Sequence, residues 1–104
     1  MTKIKTPPAS PGETLGYELF RRGMTQSDAA RLLAVNPAVI GHCVRGINTL
    51  STSLAYRLEL AGVGTALQWL AWQAEYDLYT ASLLDYSGVK PFPPVYGTDS
   101  EQPE

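Results

Sequence analysis

Gln26, Asn36, His42, Arg45, Asn48 and Thr49 lie within one short stretch of the chain and offer carboxamide, imidazole, guanidinium and hydroxyl groups. Such groups donate and accept hydrogen bonds to phosphate oxygens and base edges. Bond-making chemistry is a poor fit. Ser, His and acidic residues all occur, but the single histidine falls on a small exposed helix that implies no cleft, so no nucleophile and base are expected to meet. His42 stands beside Cys43, yet adjacent helical residues point about 100° apart and no second pair of ligands exists. We therefore expect a chain that is not an enzyme and holds neither metal nor cofactor.

Two short helical patterns must position these residues. Thr25-Gln26-Ser27-Asp28 opens the first with an N-cap threonine and an acid three residues on, and Ala29, Ala30 and Leu33 mark its inward face. Ala34-Val35-Asn36-Pro37 interrupts the pattern, with Asn36 suited to cap the next helix and Pro37 to its first position. That second helix runs to Arg45 and stops at Gly46. Ile40, Cys43 and Val44 read as its core side, which leaves Ala38, Val39, Gly41, His42 and Arg45 facing out. Two helices joined so tightly form a helix-turn-helix, whose outward positions meet the major groove of DNA.

The rest of the chain frames this unit. Residues 1 to 9 are Pro-rich and polar and read as a flexible arm. Ser10-Pro11-Gly12-Glu13 supplies a capping box for a helix to about Arg22, with Leu15, Leu19 and Phe20 inward and Gly23 ending it. Ile47-Asn48-Thr49-Leu50 connects to a fourth helix, capped by Ser51, in which Leu54, Ala55, Leu58 and Ala61 repeat at helical spacing until Gly62-Val63-Gly64. A last helix, roughly Thr65 to Asp85, concentrates Leu67, Trp69, Leu70, Trp72, Tyr76, Leu78, Tyr79 and Leu83. That is more apolar surface than four small helices can cover, so Trp69, Trp72, Tyr76 and Tyr79 are expected to serve partly as a dimer surface. Residues 10 to 85 form the domain in this reading. Residues 86 to 104 read as an irregular Pro-rich acidic tail, disordered after Gly97.

Length and charge narrow the class. A chain of 104 residues suffices for one modest core, and no segment approaches the roughly 18 apolar residues of a membrane helix. No apolar run follows Met1-Thr2-Lys3-Ile4-Lys5 as a signal peptide requires, and a lone Cys43 forms no internal disulfide, so a cytoplasmic protein is expected. The net charge of −2 is divided unevenly. Met1 to Gly62 carries seven basic residues against four acidic, or +3; Val63 to Glu104 carries one against six, or −5. The first part suits phosphate, and the second suits a basic partner or water alone.

With five helices laid out, the chain resembles the Xre/Cro-type helix-turn-helix proteins and, within them, the HigA-like antitoxins of toxin–antitoxin modules. The likeness covers about residues 7 to 80. It rests on Pro11-Gly12-Glu13, on Thr25-Gln26, and on Trp69-Leu70 with Gln73 to Leu78. The resemblance implies an all-α, five-helix lambda-repressor-like domain that binds its own operator in double-stranded DNA as a homodimer, represses its operon and neutralises a small basic ribonuclease toxin. Carried over by position, the DNA-contacting set is Thr25, Gln26, Asn36, Ala38, Val39, Gly41, His42, Arg45, Asn48 and Thr49. Gln26 would fix the domain on a phosphate, and Arg45, Asn48 and Thr49 would pass neighbouring ones. The chain departs from the family at Ala38, Val39 and Gly41, where Ser, Arg, Asn or Gln are usual. Direct readout then falls mainly to His42 and Arg45, with apolar contact of Ala38 or Val39 to a thymine methyl. Further specificity would come from DNA shape, dimer spacing, or the basic arm in an adjacent groove.

Two other readings fit the same residues. The apolar Ala38-Val39-Gly41 face and the acidic C-terminal part suit a protein-interaction module with weak or no DNA binding. A stand-alone phage-type regulator without a toxin shares the DNA chemistry.

Overall fold

A serine, threonine or asparagine stands immediately before each helix among the described residues and caps it. The structure, a computed structural model, describes residues 8 to 95. The helices are α1 (Pro11–Arg21), α2 (Gln26–Leu33), α3 (Pro37–Val44), α4 (Thr52–Leu60) and α5 (Ala66–Ala81), with no strand among the described residues. Ser10 Oγ accepts from the Glu13 N–H at 3.2 Å, Asn36 Oδ1 from Ala38 at 2.8 Å, Ser51 Oγ from Leu54 and Thr65 Oγ1 from Gln68. At α2 the capping box is reciprocal: Thr25 Oγ1 accepts from the Asp28 N–H, and Asp28 Oδ2 from the Thr25 N–H, both at 3.0 Å. Each cap satisfies amide donors that the first helical turn leaves without partners.

The core joins Leu15 and Leu19 of α1, Ala29, Ala30 and Leu33 of α2, Ile40 and Cys43 of α3, Leu50, Leu54, Ala55 and Leu58, and Trp69 of α5. α1 crosses α3 at backbone contact: a Cβ on Gly12 would meet the Cys43 carbonyl carbon and oxygen well inside van der Waals distance. Gln73 is the one polar residue buried among the described ones. Its Oε1 accepts from the Leu50 N–H at 2.9 Å, and its Nε2 donates to Asp77 Oδ1 at 2.9 Å, so α5 is tied to the connector before α4.

The structure corrects several expectations. Phe20 is 81 % exposed, because it lies about 100° around α1 from the Leu15–Leu19 stripe. Val44 is only half-buried, packed at the margin of the core. α5 ends at Ala81, not near Asp85: the N–H groups of Leu83 and Leu84 donate three residues back, to Thr80 and Ala81, and both leucines are exposed. Among the described residues no element covers them, so none there stabilises a further α-helical turn. The expectations for residues 1 to 7 of the arm, and for the acidic end beyond residue 95, lie outside the described residues. Among the described residues no helix is long and apolar enough to cross a membrane.

Candidate nucleic-acid interface

The angle between α2 and α3 is set by three residues. Ala34 takes the left-handed conformation, φ 59°, as the C-cap of α2, which turns the chain sharply into Val35 and Asn36. Arg57 of α4 reaches across and donates from Nη1 to the carbonyls of Leu33 at 2.8 Å and Ala34 at 3.1 Å. It thereby satisfies carbonyls that the end of α2 leaves open. Asn36 then starts α3.

The candidate residues divide into two groups around α3. Asn36, Ala38, Val39, His42, Asn48 and Thr49 line one open groove of about 320 Å³, with Cys43, Ser51 and Leu54 at its floor and rim. The loop after α3 closes this groove because the His42 carbonyl accepts from both Ile47, at 2.8 Å, and Asn48, at 3.2 Å. Gly46, at φ 78°, makes that reversal possible without a side-chain clash. Ala38, Val39, Asn48 and Thr49 are exposed and His42 half-buried. Ser51 was expected only as a cap. Its Oγ does cap α4, and its presence in the groove was hidden because it depends on how far the loop folds back.

The second group is Gln26, Gly41 and Arg45. Gly41 is buried rather than outward-facing, because the ends of Gln26 and Arg45 lie over it. A Cβ at that position would stand 3.1 Å from Gln26 Oε1 and 3.1 Å from Arg45 Nη1. Arg45 enters none of the ion pairs between described residues, which join Glu18 to Arg21 and Arg22, and Asp28 to Arg31. Its charge is available to a ligand. Thr25 is exposed beside Gln26, but its oxygen already serves the capping box.

Titration properties around the site are structural in origin. The Thr25 backbone N–H and then its hydroxyl, with Arg31 behind them, hold the Asp28 carboxyl below the usual carboxylate range. Burial pushes the Cys43 thiol up, which disfavours the thiolate that nucleophiles and metal ligands require.

No family model matches the chain. A search of curated proteins gives virulence-associated protein A' of Dichelobacter nodosus, 32 % identical over 77 residues, which cover 73 % of this chain and 66 % of that protein. Among solved structures, the antitoxin HigA of Pseudomonas aeruginosa, determined with the higBA promoter, is 32 % identical, with a TM-score of 0.70 over 73 % of this chain and 84 % of that one. The chain belongs to the HigA antitoxin family. A HigA-family antidote protein of Coxiella burnetii is 29 % identical, with a TM-score of 0.73 over 84 % of this chain and the whole of that one. As a HigA-family protein the chain has the all-α helix-turn-helix fold, with α2 and α3 as its two helices.

The aromatic residues of α5 divide differently from expectation. Trp69 is 2 % exposed and packs edge-to-face on Trp72, ring centroids 5.2 Å apart, while its Nε1 donates to the Val63 carbonyl at 2.7 Å. It is therefore core, not a dimer surface. Trp72 is 36 % exposed, and Tyr76 and Tyr79 are half-buried.

Proposed function

We propose that the protein is a DNA-binding repressor and antitoxin, which binds its own operator as a homodimer through α3 and neutralises a small basic ribonuclease toxin. The observation that carries this reading is the presence, on the outward side of α3, of an open groove edged by Asn36, His42, Asn48 and Thr49 and, beside it, of an Arg45 guanidinium that enters no ion pair among the described residues, in a member of the HigA family. His42 and Arg45 supply the hydrogen bonds to bases or phosphates. Ala38 and Val39 offer apolar surface to a thymine methyl, and Asn48 and Thr49 flank the backbone. A good bidentate base contact contributes about 1 to 3 kcal/mol of discrimination, and α3 has few groups able to make one. Operator choice then rests largely on DNA shape and on dimer spacing. The acidic C-terminal part suits a basic toxin.

Titration of the DNA upstream of the protein's own reading frame, at two salt concentrations, tests the DNA half. Retardation that weakens steeply with salt is expected, because each neutralised phosphate releases counterions. No retardation of any fragment at low salt would sink it. Co-expression with the product of the neighbouring reading frame tests the toxin half, with a stable complex and restored growth as the expected result. The apolar Ala38–Val39 surface favours a second reading, a protein-interaction module. A partner retained by Arg45→Ala, together with no DNA binding by the unmodified protein, would support it.

A further inference from the structure

Gly41 sits in the middle of the eight-residue α3, where glycine is a poorer helix former than alanine. Its backbone gives no reason for it. The glycines with positive φ are 23, 46, 62 and 64, so Gly41 has an ordinary helical conformation that any residue adopts. Nor does a neighbouring backbone forbid a side chain, as Cys43 does at Gly12. The three atoms nearest to a Cβ at position 41 are Arg45 Nη1, Gln26 Oε1 and Arg45 Nη2, at 3.1, 3.1 and 3.5 Å, and all are the ends of flexible side chains.

Both side chains reach this point for geometric reasons. Side chains on a helix tilt toward its N-terminus, so Arg45, one turn beyond Gly41, folds back over it. Gln26 arrives from the first position of α2, which packs directly against α3. An amide and a guanidinium thus share one seat, which is this close because position 41 lacks a Cβ; a methyl there would push both ends outward by a few tenths of an ångström.

We propose that Gly41 lets Gln26 and Arg45 converge into a single donor unit that grips one DNA backbone phosphate, making Gly41 a positioning residue. This rests on the DNA-binding reading above. With Oε1 turned into the seat, the Nε2 donors of Gln26 and the free edge of the guanidinium are left for an oxyanion. Planar multi-donor arrangements of this kind match phosphate geometry. The unit compensates for Ala38 and Val39, which carry no hydrogen-bonding side chain.

The test uses the full chain and compares Gly41→Ala with the unmodified protein on the upstream duplex and on a scrambled duplex of equal length. The melting temperature of Gly41→Ala should be unchanged or higher. Its affinity should fall about five- to twentyfold on both duplexes, and its salt slope should shrink by about one. Gln26→Ala and Arg45→Ala, singly and combined, give an independent measure: members of one unit lose less together than the product of their separate losses. Binding by Gly41→Ala with unmodified affinity and slope, or multiplicative losses in the double variant, would overturn the proposal. A loss confined to the upstream duplex would overturn the phosphate assignment in favour of a base. Unfolding of Gly41→Ala would refute the steric account, since only side-chain ends stand in the way. Absence of binding by the unmodified protein removes the DNA reading itself, which is distinct from binding that ignores position 41.

Discussion

Arg57 holds the backbone of an element other than its own, and that role makes it more consequential than an exposed arginine in an ion pair. Its Nη1 donates to two carbonyls at the end of α2, and Ala34, one of those acceptors, is the residue in the left-handed region. Hydrogen bonds from charged donors contribute about 1.5 to 3 kcal/mol when buried, and part of this one faces water. Arg57→Ala should therefore cost about 1 to 2 kcal/mol in urea unfolding. Ala34→Gly should act in the opposite direction by about 1 kcal/mol, since glycine takes positive φ without strain. If Ala34→Gly destabilised the protein, strain at the turn would be the wrong account. None of the Arg57 contact is legible in the sequence. The partners lie 23 and 24 residues away, and the carbonyls they expose belong to a turn whose residues carry no special side chain.

At the scale of elements, starts were legible and ends were not. Ser10, Thr25, Asn36 and Ser51 all cap as their positions in sequence imply, because an N-cap bond spans only two or three residues. The end of α5 depends instead on what lies beside it, and helical spacing continued past Ala81 with nothing to pack against. Its inward face was equally hard to read, because apolar residues occur all around that helix and the stripe that is buried runs through a polar residue, Gln73. Gln73→Leu keeps the size but removes the acceptor for the Leu50 N–H. It should cost about 1 to 3 kcal/mol, the penalty of an unsatisfied buried amide, with no change in self-association. The α2 capping box adds a pH dependence. The Asp28 carboxyl is depressed in the folded state, so the stability it contributes is present above its unfolded pKa and lost as pH falls through its lower folded value. Thermal melts should therefore lose stability below about pH 4, and Asp28→Asn should flatten part of that loss. An unchanged acid limb in Asp28→Asn would show that the capping box does not titrate there.

For the whole molecule, the proposed operator binding raises the question of how one small domain with sparse base-reading groups would select its site. With Arg45 given to a phosphate, a single α3 presents His42 and little else that can hydrogen-bond a base, so one protomer discriminates weakly. Two protomers held at a fixed separation read two half-sites, about one helical turn of DNA apart, and the spacing itself becomes information. We place that pairing on the face of α5 that carries Leu67 and Leu78, both largely exposed and aligned along the helix, while Trp69 is held in the protomer's own core. Trp69 and these two leucines should therefore behave oppositely despite sharing one helix. Trp69→Ala opens a cavity beneath α5 and should cost about 3 to 5 kcal/mol of stability, with helix content falling at moderate temperature. Leu67→Asp combined with Leu78→Asp should leave the fold standing, since both side chains are largely exposed, but shift the protein to monomer in sedimentation equilibrium. It should weaken binding to a full operator far more than to an isolated half-site. A monomeric unmodified protein would remove the pairing altogether, and equal losses on full and half-site duplexes would place it elsewhere; either result returns specificity to α3 and the local shape of the DNA.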